Sequence, residues 1–179
     1  MSGLPLLFLM AVTPQMSDML EYGDHAYAIQ QVPMLGLWDY SDDEPAKGKV
    51  KPPSFDVTSS ANWKAYEAKW LVRDSKLYLQ SITARQDGKP VKDGQIFPGK
   101  RFPWHARWFT GRIHIAVGGY DVATRKSESV IVFEVKEGNV VGTTFLPVYA
   151  IPSSWNGVAT PDSDESRESD DSKSSSDDR

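Results

Sequence analysis

Alternating apolar and polar residues between Tyr66 and Thr83 predict a β-hairpin in the middle of the chain. The sequence YEAKWLVRDSKLYLQSIT reads as two strands joined by a two-residue turn at Asp74-Ser75. The predicted cross-strand pairs are Val72 with Leu77, Trp70 with Leu79, Ala68 with Ser81 and Tyr66 with Thr83. Because successive side chains point to opposite faces of a strand, this register predicts one buried face and one mixed face.

Further strands are predicted at residues 27–32, 113–117, 129–135 and 139–145, with a weak strand or a loop at 91–97. The run at 129–135 is almost wholly apolar, which is typical of a central strand covered on both faces. No run of ten or more residues has a helical period. We therefore predict a mainly β fold, an antiparallel sandwich, roll or partly open barrel of about six or seven strands.

Two polar segments separate these strands. Residues 39–62 form a long connection rich in proline and acidic residues, and its acidic triplet at 42–44 lacks the spaced ligands and turn glycine of a calcium loop. Gly118-Gly119 is predicted to end the strand at 113–117, and a polar loop is predicted at 120–127.

The pattern divides the chain into three parts. Residues 1–18 are predicted to be an N-terminal extension, either a mis-assigned start or a weak signal. Their apolar run is far shorter than the roughly 20 residues that a membrane helix needs. Residues 19–159 are predicted to form a single β-rich domain. Residues 160–179, rich in Ser, Asp and Glu, are predicted to form a disordered tail. No membrane span is expected, and the predicted location is cytoplasmic, with export left open.

Charge is unevenly placed along the chain. From Asp162 onward there are eight acidic and three basic residues, a net charge of −5, which leaves residues 1–161 with a net charge of +1. A nearly neutral body offers no general basic surface, so no nucleic acid is expected as a partner. The chain has no cysteine, which excludes disulfides, thiolate nucleophiles and thiolate metal sites.

Several motifs of the chain occur in an order that resembles a known family. The hairpin reads Y-x-A-x-W-x-V-x-D-x-K-L-Y-L from Tyr66, and it is followed by Trp108-Phe109-Thr110-Gly111 and then by Glu137-Gly138-Asn139-Val140. This series, with the opening Tyr22-Gly23-Asp24-His25, resembles a family of small uncharacterised bacterial proteins. The resemblance covers roughly residues 19–145 and implies a fold, but no activity and no catalytic residues.

The residues give little sign of catalysis. No phosphate-binding loop, nucleophile elbow or dinucleotide fingerprint is present, so no cofactor and no catalytic residue are predicted. The three histidines are His25, His105 and His114, and the nine-residue separation of the last two is not a local metal-ligand spacing. No metal site is predicted from them.

Trp104, His105, Arg107 and Trp108, here called the aromatic–arginine cluster, are the predicted binding residues. Aromatic rings beside arginine stack on partner groups and are typical of binding hot spots. The alternative is that the tryptophans belong to the core. We predict a non-catalytic protein-interaction module whose partner is another protein. The competing hypothesis is a small-ligand binder, or an enzyme of unrecognised type.

The competing hypothesis places the ligand in a cleft near Trp104 and His105. That cleft is predicted to be lined by these two residues together with Tyr66 and Trp70 of the central hairpin. A deep, polar-lined pocket that contains His105 would favour this hypothesis.

Overall fold

The computed structural model describes residues 15–121 and 126–147, apart from the side chains of residues 119–121 and 126–128. The predicted acidic tail, and most of the predicted N-terminal extension, lie outside these residues. The described elements are β1 (Asp18–Tyr22), β2 (His25–Ile29), a 3-10 helix (Pro33–Gly36), β3 (Tyr66–Arg73), β4 (Lys76–Gln86), β5 (Lys89–Lys92), α1 (Asp93–Ile96), β6 (Trp104–His105), β7 (Gly111–Asp121), β8 (Lys126–Lys136) and β9 (Asn139–Pro147).

The strands form one mixed sheet in the order β2-β1-β3-β4-β9-β8-β7, and β5 and β6 pair with β4 beside this path. β1 and β3 run parallel, whereas the neighbouring hairpins are antiparallel. Over the described residues the sheet is not closed into a barrel. The mainly β prediction is confirmed. The strand count exceeds six or seven because the sequence pattern predicts neither β1 nor the two-residue strand β6.

The two ends of this sheet approach each other. Gln31, two residues after β2, accepts a hydrogen bond at Oε1 from the His114 backbone N–H of β7 over 3.2 Å. Its Nε2 lies 3.1 Å from Nδ1 of the same histidine. The sheet therefore curls around its apolar face and is bridged there by a side chain instead of a strand ladder.

The central hairpin follows the predicted register near its turn and departs from it further away. Val72 pairs with Leu77 and Trp70 with Leu79, as predicted. Beyond Trp70 a bulge shifts the register by one residue. As a result Ala68 pairs with Ile82 and Tyr66 with Ala84, and the predicted pairings of these two residues with Ser81 and Thr83 are wrong.

The bulge has a physical cause. Leu77, Leu79 and Ile82 are all fully buried, and a regular alternation would turn Ile82 to the opposite face from Leu79. One extra residue restores Ile82 to the core side. The backbone N–H of Ile82 then donates to Oδ1 of Asp93 over 2.7 Å. Because Asp93 begins α1, this short helix is held against the bulge, in place of the weak strand or loop predicted at 91–97.

The second half of the sheet keeps the predicted alternation, with one correction. Ile113 and Ile115 of β7 are fully buried, and β8 lies between β7 and β9 as expected for a central strand. The prediction that Gly118-Gly119 ends the strand is wrong. These glycines lie in a register shift between Val117 and Tyr120, and β7 continues to Asp121. A bulge at paired glycines bends the strand without ending it.

The core joins the two halves of the sheet. Tyr22 of β1 meets Phe133 of β8 edge to face, with ring centroids 4.8 Å apart. In contrast, the ladder between β4 and β9 consists of the single pair Lys76 and Asn139 within the described residues. Side-chain packing therefore supplies most of the connection between the halves, and each fully buried large apolar side chain contributes about 1.5–3 kcal/mol. The largest fully buried side chains are those of Trp70, Phe133, Leu20, Ile29, Met34, Leu37, Leu77, Leu79, Ile82, Ile113, Ile115 and Val132.

One ion pair is buried at the start of the sheet. Asp18 of β1 accepts hydrogen bonds from the Lys64 ammonium and, over 3.0 Å, from the Trp70 indole N–H. The side chains of Asp18 and Lys64 are 0% and 4% exposed. Burial disfavours the carboxylate more than Lys64 and Trp70 stabilise it, so the pKa of Asp18 is raised above its usual 3.8.

Candidate functional site

Backbone hydrogen bonds fix the segment that carries the aromatic–arginine cluster. Trp104 and His105 form the two-residue strand β6, which pairs with Leu79 and Tyr78 of the central hairpin. Ala106 then donates its N–H to the Leu77 carbonyl over 2.9 Å and is fully buried. Because Ala106 is buried, the residues on either side of it lie at the surface.

The turn of the second hairpin packs beneath this segment. Gly138, in the β8–β9 turn, donates its N–H to the Phe109 carbonyl and accepts from the Leu77 N–H, both over 2.8 Å. Its φ is +74°, and a Cβ atom there would lie 2.7 Å from the Ala106 carbonyl. Only glycine satisfies both the backbone conformation and this close approach.

His105 is held by both ring nitrogens. Nε of Arg107 lies 3.3 Å from His105 Nδ1, and His105 Nε2 lies 3.2 Å from the Gly138 carbonyl oxygen. A guanidinium can only donate and a carbonyl can only accept, so the neutral tautomer with the proton on Nε2 satisfies both contacts. The ring also packs 5.6 Å from that of Tyr78. His105 therefore orients Arg107, and in this arrangement neither nitrogen is available as a base.

The two tryptophans lie side by side and are half-buried. Their ring centroids are 4.5 Å apart. Trp108 donates its indole N–H to the Pro33 carbonyl over 3.1 Å, and Trp104 packs edge-on against Phe97 at 5.2 Å. The ammonium of Lys100 lies 4.9 Å from the Trp104 ring centre, which is the geometry of a cation–π contact. Each ring is thus partly covered by neighbouring residues, and both rings line the groove described below.

A loop organised by Asp39 provides the opposite wall. Its Oδ1 accepts from the Ser41 hydroxyl over 2.6 Å and from the Ser41 N–H over 3.0 Å, and its Oδ2 accepts from the Ala46 N–H over 2.8 Å. These hydrogen bonds, led by that of the Ser41 hydroxyl, lower the pKa of Asp39 below its usual 3.8. A parallel bridge between Trp38 and Val50 closes the loop, which places residues 47–49 opposite the cluster.

Together these walls enclose an open groove of about 650 Å³, lined by residues 36–37 and 47–49 and by all four members of the aromatic–arginine cluster. Gly36 contributes by allowing close approach, since a Cβ atom there would lie 2.9 Å from the Trp108 carbonyl oxygen. The predicted binding residues are therefore brought together on one surface. Sequence patterns did not indicate residues 36–37 and 47–49, because they belong to a helix end and a loop without periodicity.

The groove is basic. Lys47, Lys49 and Arg107 line it, and no carboxylate does. The ion pairs among the described residues lie elsewhere, at Asp18–Lys64, Arg73–Asp74 and Arg112–Glu134. Three cations and two half-buried indole rings are suited to holding an anionic group beside an aromatic or apolar one.

The cleft suggested by the competing hypothesis has a different lining from the one predicted. Tyr66 and Trp70 are 4% and 0% exposed and belong to the core. Their assignment to the cleft is wrong because the regular alternation of β3 turns both side chains towards the core. Trp104 and His105 do line the groove.

No metal site emerges where the chain is described. The three histidines lie on different strands, His25 on β2, His105 on β6 and His114 on β7. No group of three or more His, Asp or Glu side chains within residues 15–121 and 126–147 is arranged to hold a metal ion. Over the same residues, no helix has the length and apolar character needed to cross a membrane.

The chain was compared with protein-family models, curated proteins and solved structures. None of the three comparisons finds a match.

Proposed function

We propose that the protein is a non-catalytic interaction module that holds an acidic segment of another protein in the groove. The observation that carries this proposal is the composition of the lining: two half-buried tryptophans, three cations and no carboxylate. Tryptophan and arginine are the residues most enriched in interface hot spots. The excess of positive charge selects for a partner rich in Asp and Glu, and the indole faces select for an aromatic or apolar residue within it.

The geometry of His105 supports binding over catalysis. A general base needs a free nitrogen within hydrogen-bond reach of a substrate proton. Both nitrogens of His105 already have protein partners, the Arg107 guanidinium and the Gly138 carbonyl. Its contribution to binding is to fix the position of the arginine, which lowers the entropy lost when a partner carboxylate is engaged.

The test is the affinity of a labelled acidic peptide with one central tyrosine, measured by fluorescence anisotropy. Replacing Trp104 and Arg107 with alanine should weaken binding by about 30-fold or more, since a hot-spot side chain contributes at least about 2 kcal/mol. A variant with Trp63 and Arg73 replaced by alanine is the matched control, because both side chains are exposed and neither lines the groove.

The control variant should bind like the original chain, and circular dichroism should show that both variants keep their fold. Equal affinity of the two variants would refute the proposal. A peptide in which every Asp and Glu is replaced by Asn or Gln should bind much more weakly. Equal binding of this neutral peptide would refute the acidic specificity.

The groove volume also supports the competing small-ligand hypothesis, because ligand pockets commonly enclose about 300–1,000 Å³. The ligand would be an anion with an aromatic ring, which could lie on the indoles. Thermal unfolding with a nucleoside monophosphate and with benzoate distinguishes the two functions. A ligand that binds the folded state raises the midpoint, whereas an interaction module should respond to the acidic peptide and not to these small molecules.

A further inference from the structure

The acidic segment near the end of the printed sequence and the basic groove carry opposite charges, a net charge of −6 in residues 162–178 against the three cations of the groove. Residues 162–178 contain eight carboxylates and only two cations. They contain no apolar side chain, so electrostatic attraction is their means of binding a folded surface. We infer that this acidic segment, residues 162–178, binds in the groove of its own chain and competes there with a partner.

The basic surface is longer than the groove alone. Lys100, which covers the Trp104 ring, also lines a second cleft of about 200 Å³ together with Lys51. No carboxylate lines this cleft either. The two linings share no residue, but Lys100 of the second cleft contacts Trp104 of the first, so the two clefts are neighbours. Their linings together contain five cations, Lys47, Lys49, Lys51, Lys100 and Arg107. The acidic triplet at 42–44 is outside both linings.

The covalent connection permits the contact. Asn139 begins β9 next to the groove, because the preceding residue, Gly138, contacts His105. Pro147 lies eight residues further along this strand, about 26 Å from Asn139 at the usual rise. The 15-residue step from Pro147 to Asp162 can span at most about 50 Å, so the first acidic residues can return to the groove.

Because the acidic segment is joined covalently to the domain that carries the groove, a weak affinity is enough for it to occupy the groove. A segment joined to its own binding surface is present at an effective concentration of the order of millimolar. An attraction with a Kd near about 1 mM would therefore occupy the groove for a large part of the time. Because the segment has no aromatic side chain, it leaves the faces of Trp104 and Trp108 unused. A partner that presents both carboxylates and an aromatic residue would displace it.

Paramagnetic NMR on the full-length chain tests this inference. The chain has no cysteine, so the substitution Ser172→Cys gives a single attachment point for a nitroxide label. The expected result is a selective loss of backbone amide signal at residues 47–51 and 104–107. The signal should return in about 1 M salt, where the screening length falls to about 3 Å.

Two charge variants of the labelled chain complete the test. Replacing Lys47, Lys49 and Arg107 with glutamine should remove the selective loss of signal. Replacing Lys69, Lys89 and Lys92 with glutamine should leave it unchanged, because these exposed lysines line neither cleft. Uniform broadening, no broadening, or loss of signal that persists in the groove variant would overturn the inference.

The inference rests on the proposed function only in using the same groove, and the two can fail separately. The acidic tyrosine peptide is titrated into the same unlabelled chains and into a chain whose eight tail carboxylates are replaced by amides. Peptide binding of equal strength in both chains, without tail contact, would refute the inference alone. Tail contact without any peptide binding would refute the proposed function alone.

Discussion

Gly138 and Gly88 occupy equivalent positions in two hairpin turns, yet their surroundings differ. The turns Glu137-Gly138 and Asp87-Gly88 have closely similar φ values, +47° and +74° in the first and +51° and +75° in the second. A Cβ atom on Gly88 would meet nothing within 4 Å, whereas one on Gly138 would collide with the Ala106 carbonyl. A substitution at Gly88 therefore costs only the strain of a positive φ, whereas one at Gly138 adds a steric collision.

Replacing either glycine with alanine should lower the free energy of unfolding, by different amounts. Gly88→Ala should cost about 1–2 kcal/mol, the usual penalty for a side chain in the left-handed region. Gly138→Ala should cost a further 1–3 kcal/mol or so, because the added methyl group overpacks the contact with Ala106. Urea unfolding of the two variants measures both values. Equal losses would show that the turn beneath the cluster can move away without cost.

The chemical character of residues 104–108 was predictable, but the positions of their partners were not. Large aromatic side chains beside arginine, in a segment outside regular alternation, predicted a surface cluster, and Trp104, His105, Arg107 and Trp108 do line one groove. The same composition left a core location open for the tryptophans. The tautomer of His105 depends on Gly138, which lies 33 residues away and has no side chain to form a pattern.

Among the walls of the groove, the loop of residues 39–50 has the least regular structure. Its order comes from the carboxylate of Asp39, which accepts from Ser41 and Ala46. Because the pKa of Asp39 is lower in the folded chain, the stability of the loop depends on pH. The contribution of Asp39 to the stability of the loop is present above pH 3.8 and is lost as the pH falls through the lower folded value.

The substitution Asp39→Ala should release this loop while the sheet stays folded. Hydrogen exchange measured by NMR should become faster at the amides of Ala46 and Val50, since the first loses its acceptor and the second is held by the loop closure. Asp42→Ala is the control, because it removes an exposed carboxylate from the same loop. Unchanged exchange in Asp39→Ala, or equal acceleration in both variants, would contradict the role of Asp39.

Element prediction succeeded where neighbouring residues determine the pairing. The turn Asp74-Ser75 fixed the pairs Val72–Leu77 and Trp70–Leu79, since a two-residue turn leaves no freedom of register. The prediction failed directly beyond Trp70, where the burial of Ile82 and the side chain of Asp93 favour a bulge. Such a bulge depends on a residue beyond the hairpin, so alternation within the hairpin could not indicate it.

At the scale of the whole molecule, the buried pair of Asp18 and Lys64 links folding to pH. Burial raises the pKa of Asp18 in the folded chain, so the folded state binds this proton more tightly than the unfolded state. The contribution of this carboxyl to stability is therefore fully present below pH 3.8 and is lost as the pH rises through the raised folded value.

Comparison of the original chain with Asp18→Asn isolates this contribution, because asparagine keeps an acceptor for the Trp70 indole without the titration. The unfolding free energy of the original chain should fall relative to that of the variant as the pH rises from about 4 towards neutrality. Glu67→Gln, at an exposed position of β3, controls for the general loss of a negative charge. A constant or rising difference between the original chain and Asp18→Asn would contradict the assignment.

The arrangement of the strands in the whole sheet was the feature least predictable from the sequence. Alternation and turn residues indicate antiparallel hairpins, and the mainly β fold follows from them. The parallel pairing of β1 with β3 leaves no such local signal, because Met19 pairs with Lys69, fifty residues later. The groove could not be predicted from local patterns either, because its walls come from a 3-10 helix, a loop and the β6 segment, which lie far apart in the sequence.

The parallel pair also sets an order of assembly. Closing the β3–β4 hairpin requires a two-residue turn, whereas joining β1 to β3 closes a loop of about fifty residues, which costs roughly 3 kcal/mol more in chain entropy. Of the strands described, the ribosome makes β1 and β2 first, and they can take their places only after β3 exists. Until then the apolar Leu20 and Ile29 have no sheet to cover them, so the earliest strands to be synthesised are among the last to become native.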